Sequence, residues 1–417
     1  MTTDQARLRV VDNELELAST ARALRDLVTP GSAELEWLLA AIARDAEARR
    51  QPGQEGHPWR TMELVRLARL GALRLPRESG GAGASLRELF QVLIRLAEAD
   101  PDVAHILRAH YLLVDELLRA PADPLRDARL QRVVNGEIFG NAFTEQSARA
   151  VGDYRFETTL SVEGDGYRLN GTKYFSTGTL YSDWVLVSAS DPDGSALSAL
   201  IPTDREGVQV FDDWDGIGQQ YTGSGTTRFA NVRVERDEVI RRDTATKSNA
   251  LPQLYLHAII AGILRSVVSD AVVLLQGRAR SFSHAVAERP ADDPQLLQVV
   301  GQLSSSAFAA EAIVLAAAEA LDRAFLAAAA GEDAAALNLE ASLRAAQAKV
   351  VVDELALKAA SDLFEVGGAS AARRSAHLDR HWRNIRTLAS HNPAAYKARA
   401  IGDLLVNGTE LPRNAYF

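Results

Sequence analysis

The hydrophobic periodicity of this 417-residue chain changes twice, and these changes restrict the fold more than any other feature of the sequence. Up to about residue 135, apolar residues recur at spacings of three and four, as in LEWLLAAIARDAEARR, which predicts amphipathic helices. Residues 136–245 contain short runs rich in Val, Thr, Tyr and Phe between Gly and Asp turns, which predict β-strands. Long helical segments follow in residues 246–417. We therefore predict an α+β fold, mostly α.

The three predicted domains are an N-terminal helical domain (residues 1–135), a central antiparallel β-barrel or sandwich (136–245) and a C-terminal helical bundle (246–417). In the first domain, Ser85 is followed by Glu88 at capping-box spacing, which predicts the start of a helix. In the second, Asn170-Gly171 predicts a hairpin turn. In the third, apolar and Ala positions surround much of each helix, as expected for helices buried in a bundle or a subunit interface.

The composition excludes several classes of function. The chain has no cysteine, which excludes disulfides, Cys-ligated metal centres and a thiol nucleophile. Its 55 Asp and Glu outnumber its 46 Lys and Arg, and the net charge of −9 argues against nucleic-acid binding. The Ala-rich run near residue 320 is interrupted by acidic residues, and the N-terminus has no apolar signal core. We therefore expect a cytoplasmic protein without a membrane segment, and an enzyme is the leading class.

The common cofactor and metal motifs do not occur in the sequence. No GxGxxG follows a predicted strand, and neither GxxxxGK[ST] nor HExxH is present. The eight histidines do not cluster at metal-ligand spacing, and the separation between His105 and His110 does not place them on one helical face. No metal site is expected.

Several polar residues stand out in segments that are predicted to be buried. Asn141 begins NAFTE at the start of the β-domain, Thr177 ends the strand-like run YFST, and Trp214 lies in DDWDGIG. Arg280 lies in a predicted long helix. Residues 379–397 (DRHWRNIRTLASHNPAAYK) place several cations beside aromatic side chains, which suits an anionic ligand such as a phosphate.

These motifs resemble a known family. NAFTE, NGTKYFSTG, IPTDREGV, DDWDGIG, TGSGTTRFANVRV and LDRHWRNIRTLASHNPAAYK are similar to motifs of the acyl-CoA dehydrogenase superfamily, and most of all to its flavin-dependent monooxygenase branch, typified by dibenzothiophene monooxygenases. The resemblance covers nearly the whole chain and implies an acyl-CoA dehydrogenase-like fold with a C-terminal four-helix bundle. It also implies a group D flavin-dependent monooxygenase, in which reduced flavin and O₂ form a C4a-hydroperoxide that oxygenates a small aromatic or sulfur- or nitrogen-containing substrate.

The resemblance implies a role for each matching residue. Thr177 corresponds to the family's Ser or Thr that contacts flavin N5 and O4, and Phe175 to a residue against the isoalloxazine. Asn141 corresponds to an Asn near the flavin and the oxygen site. His391 corresponds to a histidine that helps to form the hydroperoxide, and a pKa near neutrality would suit it to that proton transfer. His105 corresponds to a second active-site histidine.

The resemblance also implies further flavin contacts, the cofactor and the partners. Gln146 lies in the flavin-binding loop, Trp214 lies near the flavin, and Arg280 with Phe282 would reach a flavin phosphate across a subunit interface. Reduced FMN (FMNH₂) is favoured, and FAD is possible. Because the chain has no NAD(P)H-binding fingerprint, a separate NAD(P)H-dependent flavin reductase is implied. The implied assembly is a homotetramer.

The positions of carboxylates distinguish the two enzyme activities of the superfamily. An FAD-dependent acyl-CoA dehydrogenase needs a carboxylate base late in the chain or in the first helix after the β-domain. Neither residues 249–269 nor residues 386–402 contain Asp or Glu, which disfavours that activity. An amino-sugar N-oxygenase of the nitrososynthase type and a catalytically inactive binding protein stay as alternatives. Ala109 and Leu388 replace a Tyr and a His of the monooxygenase branch, so the substrate is not predicted.

Overall fold

The N-terminal part of the chain is helical. The computed structural model describes residues 27–51, 53–146, 154–241, 249–414 and 416–417. The predicted capping box is confirmed, because the Ser85 hydroxyl accepts from the Glu88 amide (3.1 Å) and the Glu88 carboxylate accepts from the Ser85 amide (2.8 Å). The described N-terminal helices are α1 (Ala33–Arg49), α2 (Trp59–Leu67), α3 (Leu86–Ala99), α4 (Pro101–Ile106), α5 (Arg108–Arg119) and α6 (Pro124–Val134).

The central part of the chain forms one mixed sheet. Its strand order is β6-β7-β3-β2-β4-β5-β8, and β1 pairs with β4. Most pairs are antiparallel, as predicted, but β1 and the first residue of β2 both pair in parallel with β4. The strands are β1 (Phe139–Ala142), β2 (Thr159–Glu163), β3 (Gly166–Lys173), β4 (Trp184–Ser190), β5 (Ala196–Pro202), β6 (Val208–Val210), β7 (Thr227–Val234) and β8 (Val239–Arg241).

The hairpin predicted at Asn170-Gly171 is wrong, because these residues lie inside β3. The chain turns between β2 and β3 at Gly164-Asp165 instead. At Gly171 the pairing with β7 shifts register, and a Cβ there would lie 2.4 Å from the Thr158 hydroxyl. The glycine therefore serves a β-bulge and a close backbone approach rather than a turn.

The C-terminal part of the chain is again helical. The helix α7 ends at Gly277, so the prediction that Arg280 lies in a helix is wrong; the residues after Gly277 lack apolar periodicity, and Arg280 lies in an exposed loop. The described C-terminal helices are α7 (Ala250–Gly277), α8 (Pro294–Ala329), α9 (Ala335–Gly367), α10 (Asp379–Ala389) and α11 (Ala394–Asn407).

The two helical parts share one hydrophobic core. Side chains of α3 pack against α7 and α8, and a continuous cluster of buried residues runs from the N-terminal helices to α10. The helix α7 is long and apolar enough to cross a membrane, but more than half of its most apolar window is buried against other helices, as in the core helix of a bundle.

The predicted domain boundaries can be compared with these elements. The boundary at residue 135 falls between the end of α6 and the start of β1. The boundary at residue 245 lies outside the described residues. A smaller core joins the sheet to α5 and α6, so the sheet is held against the helices that line its edge.

Candidate active site

A cavity of about 630 Å³ lies where the sheet meets both helical parts of the chain. Its volume is within the roughly 300–1,000 Å³ that is usual for cofactor and ligand sites. The β1 strand, the loops after β3 and β6, and helices α4, α5, α7 and α10 all contribute to its walls. Six residues that the sequence analysis singled out line this cavity: His105, Asn141, Phe175, Thr177, Trp214 and His391.

Three other predicted flavin contacts do not line this cavity. Gln146 is exposed and precedes residues 147–153, which lie outside the described part of the chain. Arg280 and Phe282 are exposed in the loop between α7 and α8, where the Phe282 ring stacks on His284 with 5.6 Å between centroids. Their contact with a flavin across a subunit interface stays a prediction.

A chain of hydroxyl groups runs behind Thr177. Thr177 Oγ1 lies 2.7 Å from Ser224 Oγ, which lies 2.7 Å from Thr222 Oγ1. Thr222 Oγ1 donates to the backbone carbonyl of Gln219 (2.8 Å). A carbonyl only accepts, so Thr222 accepts from Ser224 and Ser224 accepts from Thr177. The Thr177 proton therefore points away from the cavity, and its oxygen is available there as an acceptor.

The loops beside Thr177 contain strained backbone. Phe175 and Gln219 adopt left-handed conformations with φ of 56° and 52°, which are uncommon for residues with a side chain. The Phe175 ring packs edge-on against Trp214 with 5.9 Å between centroids, and Trp214 Nε1 donates to the Gln219 carbonyl (3.0 Å). Strain of this kind concentrates at functional sites, where the surrounding structure maintains it.

Two glycines allow the loops of the sheet to approach the helices closely. At Gly178, with φ of 82°, a Cβ would lie 2.5 Å from the carbonyl oxygen of Ile106 at the end of α4. At Gly218 a Cβ would lie 2.2 Å from the carbonyl oxygen of Arg383 in α10. Any side chain at either position would separate the walls of the cavity.

His105 is held as a neutral imidazole with a defined tautomer. Its Nδ1 lies 2.9 Å from Gln219 Oε1, so Nδ1 carries the proton and Nε2 is free to accept. Burial lowers the pKa of His105 to about 3, and the Arg108 charge acts in the same direction. The Gln219 amide also donates to Asn384 Oδ1 (2.8 Å), which links the loop to α10.

His391 is also neutral at pH 7. Burial lowers its pKa well below the ordinary value, and the Arg108 charge lowers it further. The expectation of a histidine that titrates near neutrality is therefore wrong for the free protein. Its Nε2 lies 3.4 Å from Arg108 Nη1, and its ring lies 5.3 Å from the Tyr416 ring. Tyr416 reaches across the cavity to Thr144, with 3.1 Å between hydroxyl oxygens.

The cavity offers no free carboxylate base. Glu145 is the only Asp or Glu among the described residues that line it. Its carboxylate accepts from Lys173 Nζ (2.7 Å) and from the amides of Glu157 (2.7 Å) and Thr158 (2.9 Å). Burial alone would raise the pKa of Glu145, but these bonds outweigh burial and lower it. A carboxylate held in this way is a poor base for removing a substrate proton.

Sequence reasoning missed Gln219, Ser224 and Arg108. The first two lie in loops without a periodic signal. Arg108 follows His105 by three residues, a spacing that predicts a shared helical face, and both residues line the cavity although they lie in consecutive helices, α4 and α5. His110, in contrast, faces elsewhere and bonds the Gly71 carbonyl (3.1 Å) and the Phe139 amide (3.2 Å).

The two positions where the sequence departs from the monooxygenase branch, Ala109 and Leu388, both line the cavity. Their side chains therefore help to set the shape of the space beside His105 and His391. Among the described residues, no group of three or more His, Asp or Glu is placed to hold a metal ion.

Comparison with protein families gives two matches. The acyl-CoA dehydrogenase middle domain matches residues 140–232, and the acyl-CoA dehydrogenase C-terminal domain matches residues 254–395. The chain is 30% identical to the dibenzothiophene monooxygenase of Mycolicibacterium goodii, over 89% of this chain and 91% of that protein. It is 29% identical to a probable FMNH₂-dependent monooxygenase, SfnC, of Pseudomonas putida, over 91% of this chain and 95% of that protein.

Solved structures agree with these sequence matches. TdsC from Paenibacillus sp. A11-2, in complex with FMN and indole, superimposes with a TM-score of 0.84 at 27% identity, covering 93% of this chain and 100% of that chain. The methanesulfinate monooxygenase MsuC from Pseudomonas fluorescens gives a TM-score of 0.80 at 28% identity, covering 96% of this chain and 99% of that chain.

Proposed function

The chain belongs to the acyl-CoA dehydrogenase family and is an FMNH₂-dependent monooxygenase of that family, and we propose that it oxygenates a small sulfur-containing compound. The reaction consumes substrate, FMNH₂ and O₂ and yields oxygenated substrate, FMN and water. Dibenzothiophene and methanesulfinate, the compounds in the names of two relatives, are both sulfur compounds, which supports the substrate class.

The residues around the cavity fit FMN. Reduced FMN supplies the electrons that activate O₂. Thr177 offers an acceptor for the N5–H of a reduced flavin, and the Asn141 side chain makes no hydrogen bond with the described residues, so its amide is available to the cofactor or oxygen. Phe175 and Trp214 provide an aromatic surface at one side of the cavity.

One observation favours an oxygenase over a dehydrogenase. The cavity contains neutral histidines but no free carboxylate, because Glu145 is held by Lys173 and two backbone amides. Removal of the α-proton of a thioester needs a free base, whereas an oxygenase needs a dry, hydrogen-bonding site. The dehydrogenase is therefore not favoured. The amino-sugar N-oxygenase is not favoured because two of the relatives reported above are named for sulfur compounds.

The proposed partners and location complete the function. We propose that a separate NAD(P)H-dependent reductase supplies FMNH₂ and that the protein acts in the cytoplasm as a homotetramer. Large apolar side chains on the described helices support self-association, since Phe308, Leu405 and Val406 are each more than 70% exposed. Native mass spectrometry should give a mass of four chains; a monomer at micromolar concentration would contradict this part of the proposal.

The function is tested by supplying FMNH₂ anaerobically and then adding ¹⁸O₂ with a sulfur-containing substrate. We expect one labelled oxygen atom in the product and little hydrogen peroxide. His391→Ala should lower product formed per FMNH₂ about 100-fold or more and release more peroxide, because a side chain that transfers or holds a proton at the reacting centre typically contributes about 10²- to 10⁴-fold. His391→Gln, which keeps a hydrogen-bonding group, should retain more product. Unlabelled product, or equal product in His391→Ala, would contradict the assignment.

A further inference from the structure

Arg108 is a half-buried cation that lines the cavity and has no acidic partner among the described residues. Burial lowers the pKa of Arg108 to about 10, and the only groups that oppose this effect are Tyr416 and Tyr255. Arg49, Arg205 and Arg380, which are also largely withdrawn from solvent, each pair with an Asp or Glu. An unpaired charge that is partly withdrawn from water is costly, so a counter-ion from outside the chain would be bound here favourably.

The guanidinium of Arg108 is anchored in a way that leaves one edge available. Its Nε donates to the Pro252 carbonyl (3.0 Å) at the start of α7, and its Nη1 lies 3.4 Å from His391 Nε2. Its Nη2 makes no hydrogen bond with the described residues and is not sealed from the cavity. The planar donors of arginine suit the oxygens of an organic acid.

The walls next to Arg108 are apolar. Ala109 and Leu112 follow it on α5, and Leu388 and Leu256 approach from α10 and α7. The only carboxylate lining the cavity among the described residues, Glu145, is already neutralised by Lys173. This part of the cavity therefore combines the charge of Arg108 with several apolar side chains.

We propose that Arg108 binds the anionic group of the substrate, and that the substrate is a small organosulfur acid such as an alkyl or aryl sulfinate. This inference rests on the proposed function for the reaction, but the anion site can be tested without it. Arg108 belongs to the helical wall that carries His391, whereas Thr177, Phe175 and Trp214 belong to loops of the sheet. The substrate's anionic end would then lie beside His391, and its apolar end against Ala109 and Leu388.

The direct test measures binding of benzenesulfinate and of methyl phenyl sulfoxide, its neutral counterpart of similar shape, by titration calorimetry of the flavin-free and FMN-loaded protein. Arg108→Met should weaken benzenesulfinate binding about 10- to 150-fold, the range for a charge-assisted hydrogen bond, and leave sulfoxide binding unchanged. Arg108→Lys should restore part of the affinity. Arg126→Met is the matched control, because Arg126 Nε also donates to a backbone carbonyl, that of Leu117 (2.8 Å), away from the cavity.

Other roles for Arg108, or an anion site at another arginine, predict different results. If Arg108→Met lowers FMN affinity, or weakens both probes equally, Arg108 serves the flavin or the packing and the proposal is overturned. Arg386 also lines the cavity, so a loss of benzenesulfinate binding in Arg386→Met but not in Arg108→Met would overturn it too. If benzenesulfinate binds through Arg108 but no ¹⁸O enters any product, the anion site stands and the proposed function fails.

Discussion

The direction of the hydroxyl protons behind Thr177 determines which redox form of flavin this residue favours. Thr222 donates its hydroxyl proton to the Gln219 carbonyl. Ser224 therefore donates to Thr222, and Thr177 donates to Ser224. With flavin N5 beside Thr177, as the resemblance implies, the Thr177 oxygen would accept from the N5–H of a reduced flavin but would oppose the N5 lone pair of an oxidised one. We therefore expect the site to prefer FMNH₂ to FMN, as the proposed supply of FMNH₂ by a reductase would require.

Ser224→Ala tests this direction. Without Ser224 the Thr177 proton is free to turn toward the cavity, and the preference for FMNH₂ over FMN should fall about 10-fold, the value of one ordinary hydrogen bond. Anaerobic titration with each form of the cofactor measures the ratio. Ser305→Ala is the control, because Ser305 is exposed and its hydroxyl donates only to the Gly301 carbonyl within α8 (2.8 Å). An unchanged ratio in Ser224→Ala would show that Thr177 is not oriented by this chain.

At the scale of elements, Gln219 holds three segments together. Its side chain accepts from His105 at the end of α4, and its amide donates to Asn384 in α10. Gln219 is 1% exposed, and its backbone is left-handed. In this conformation the side-chain oxygen faces His105 and the backbone amide faces Asn384. The loop therefore links the sheet to helices from both ends of the chain.

Gln219→Leu should lower the free energy of unfolding by about 1–3 kcal/mol, because His105 Nδ1–H would be buried without a partner. Urea unfolding at a fixed protein concentration measures this change. Gln220→Leu, at the exposed neighbouring position, should change stability by less than about 0.5 kcal/mol. Equal effects of the two substitutions would show that the His105 contact contributes nothing.

The order of elements and much of the cavity could be predicted from the sequence, but the connections between them could not. Helices and strands follow from periodicity, because each element must bury one face. Gly171 shows the limit, since the same dipeptide serves a turn or a bulge according to the neighbouring strand. Gln219 had no signal because its partners are distant in sequence. The resemblance placed Thr177 and His391 at the cavity, but only the structure shows the proton direction of one and the neutral state of the other.

At the scale of the whole molecule, the shared helical core determines where the site lies. The N-terminal helices, α7 and α10 belong to one continuous core, and the cavity lies between that core and the sheet. Burial penalises the charged form of the histidines in such a position, so they stay neutral at pH 7. Because the same histidines take up protons more readily in the unfolded chain, stability depends on pH.

Acid should destabilise the protein as its buried histidines protonate, although Asp102, whose pKa burial raises to about 7, acts in the opposite direction. Burial, the largest cause in each case, lowers the pKa of His105 to about 3 and those of His110 and His381 to about 4, whereas the unfolded chain protonates near 6.5. The unfolded state therefore binds more protons between about pH 6.5 and 4, and stability is lost as the pH falls through this window. Each such histidine should lower the free energy of unfolding by about 2 kcal/mol between pH 7 and pH 5.

His110→Gln isolates one of these contributions, because a glutamine amide can still donate to the Gly71 carbonyl while the titratable group is lost. The variant should be less stable than the wild type at pH 7. Its free energy of unfolding should, however, fall by about 2 kcal/mol less than that of the wild type between pH 7 and pH 5. Urea unfolding at both pH values and one protein concentration gives this difference. His284→Gln, at an exposed position, should follow the wild-type pH dependence. If His110→Gln also followed it, protonation of His110 would not contribute to acid unfolding.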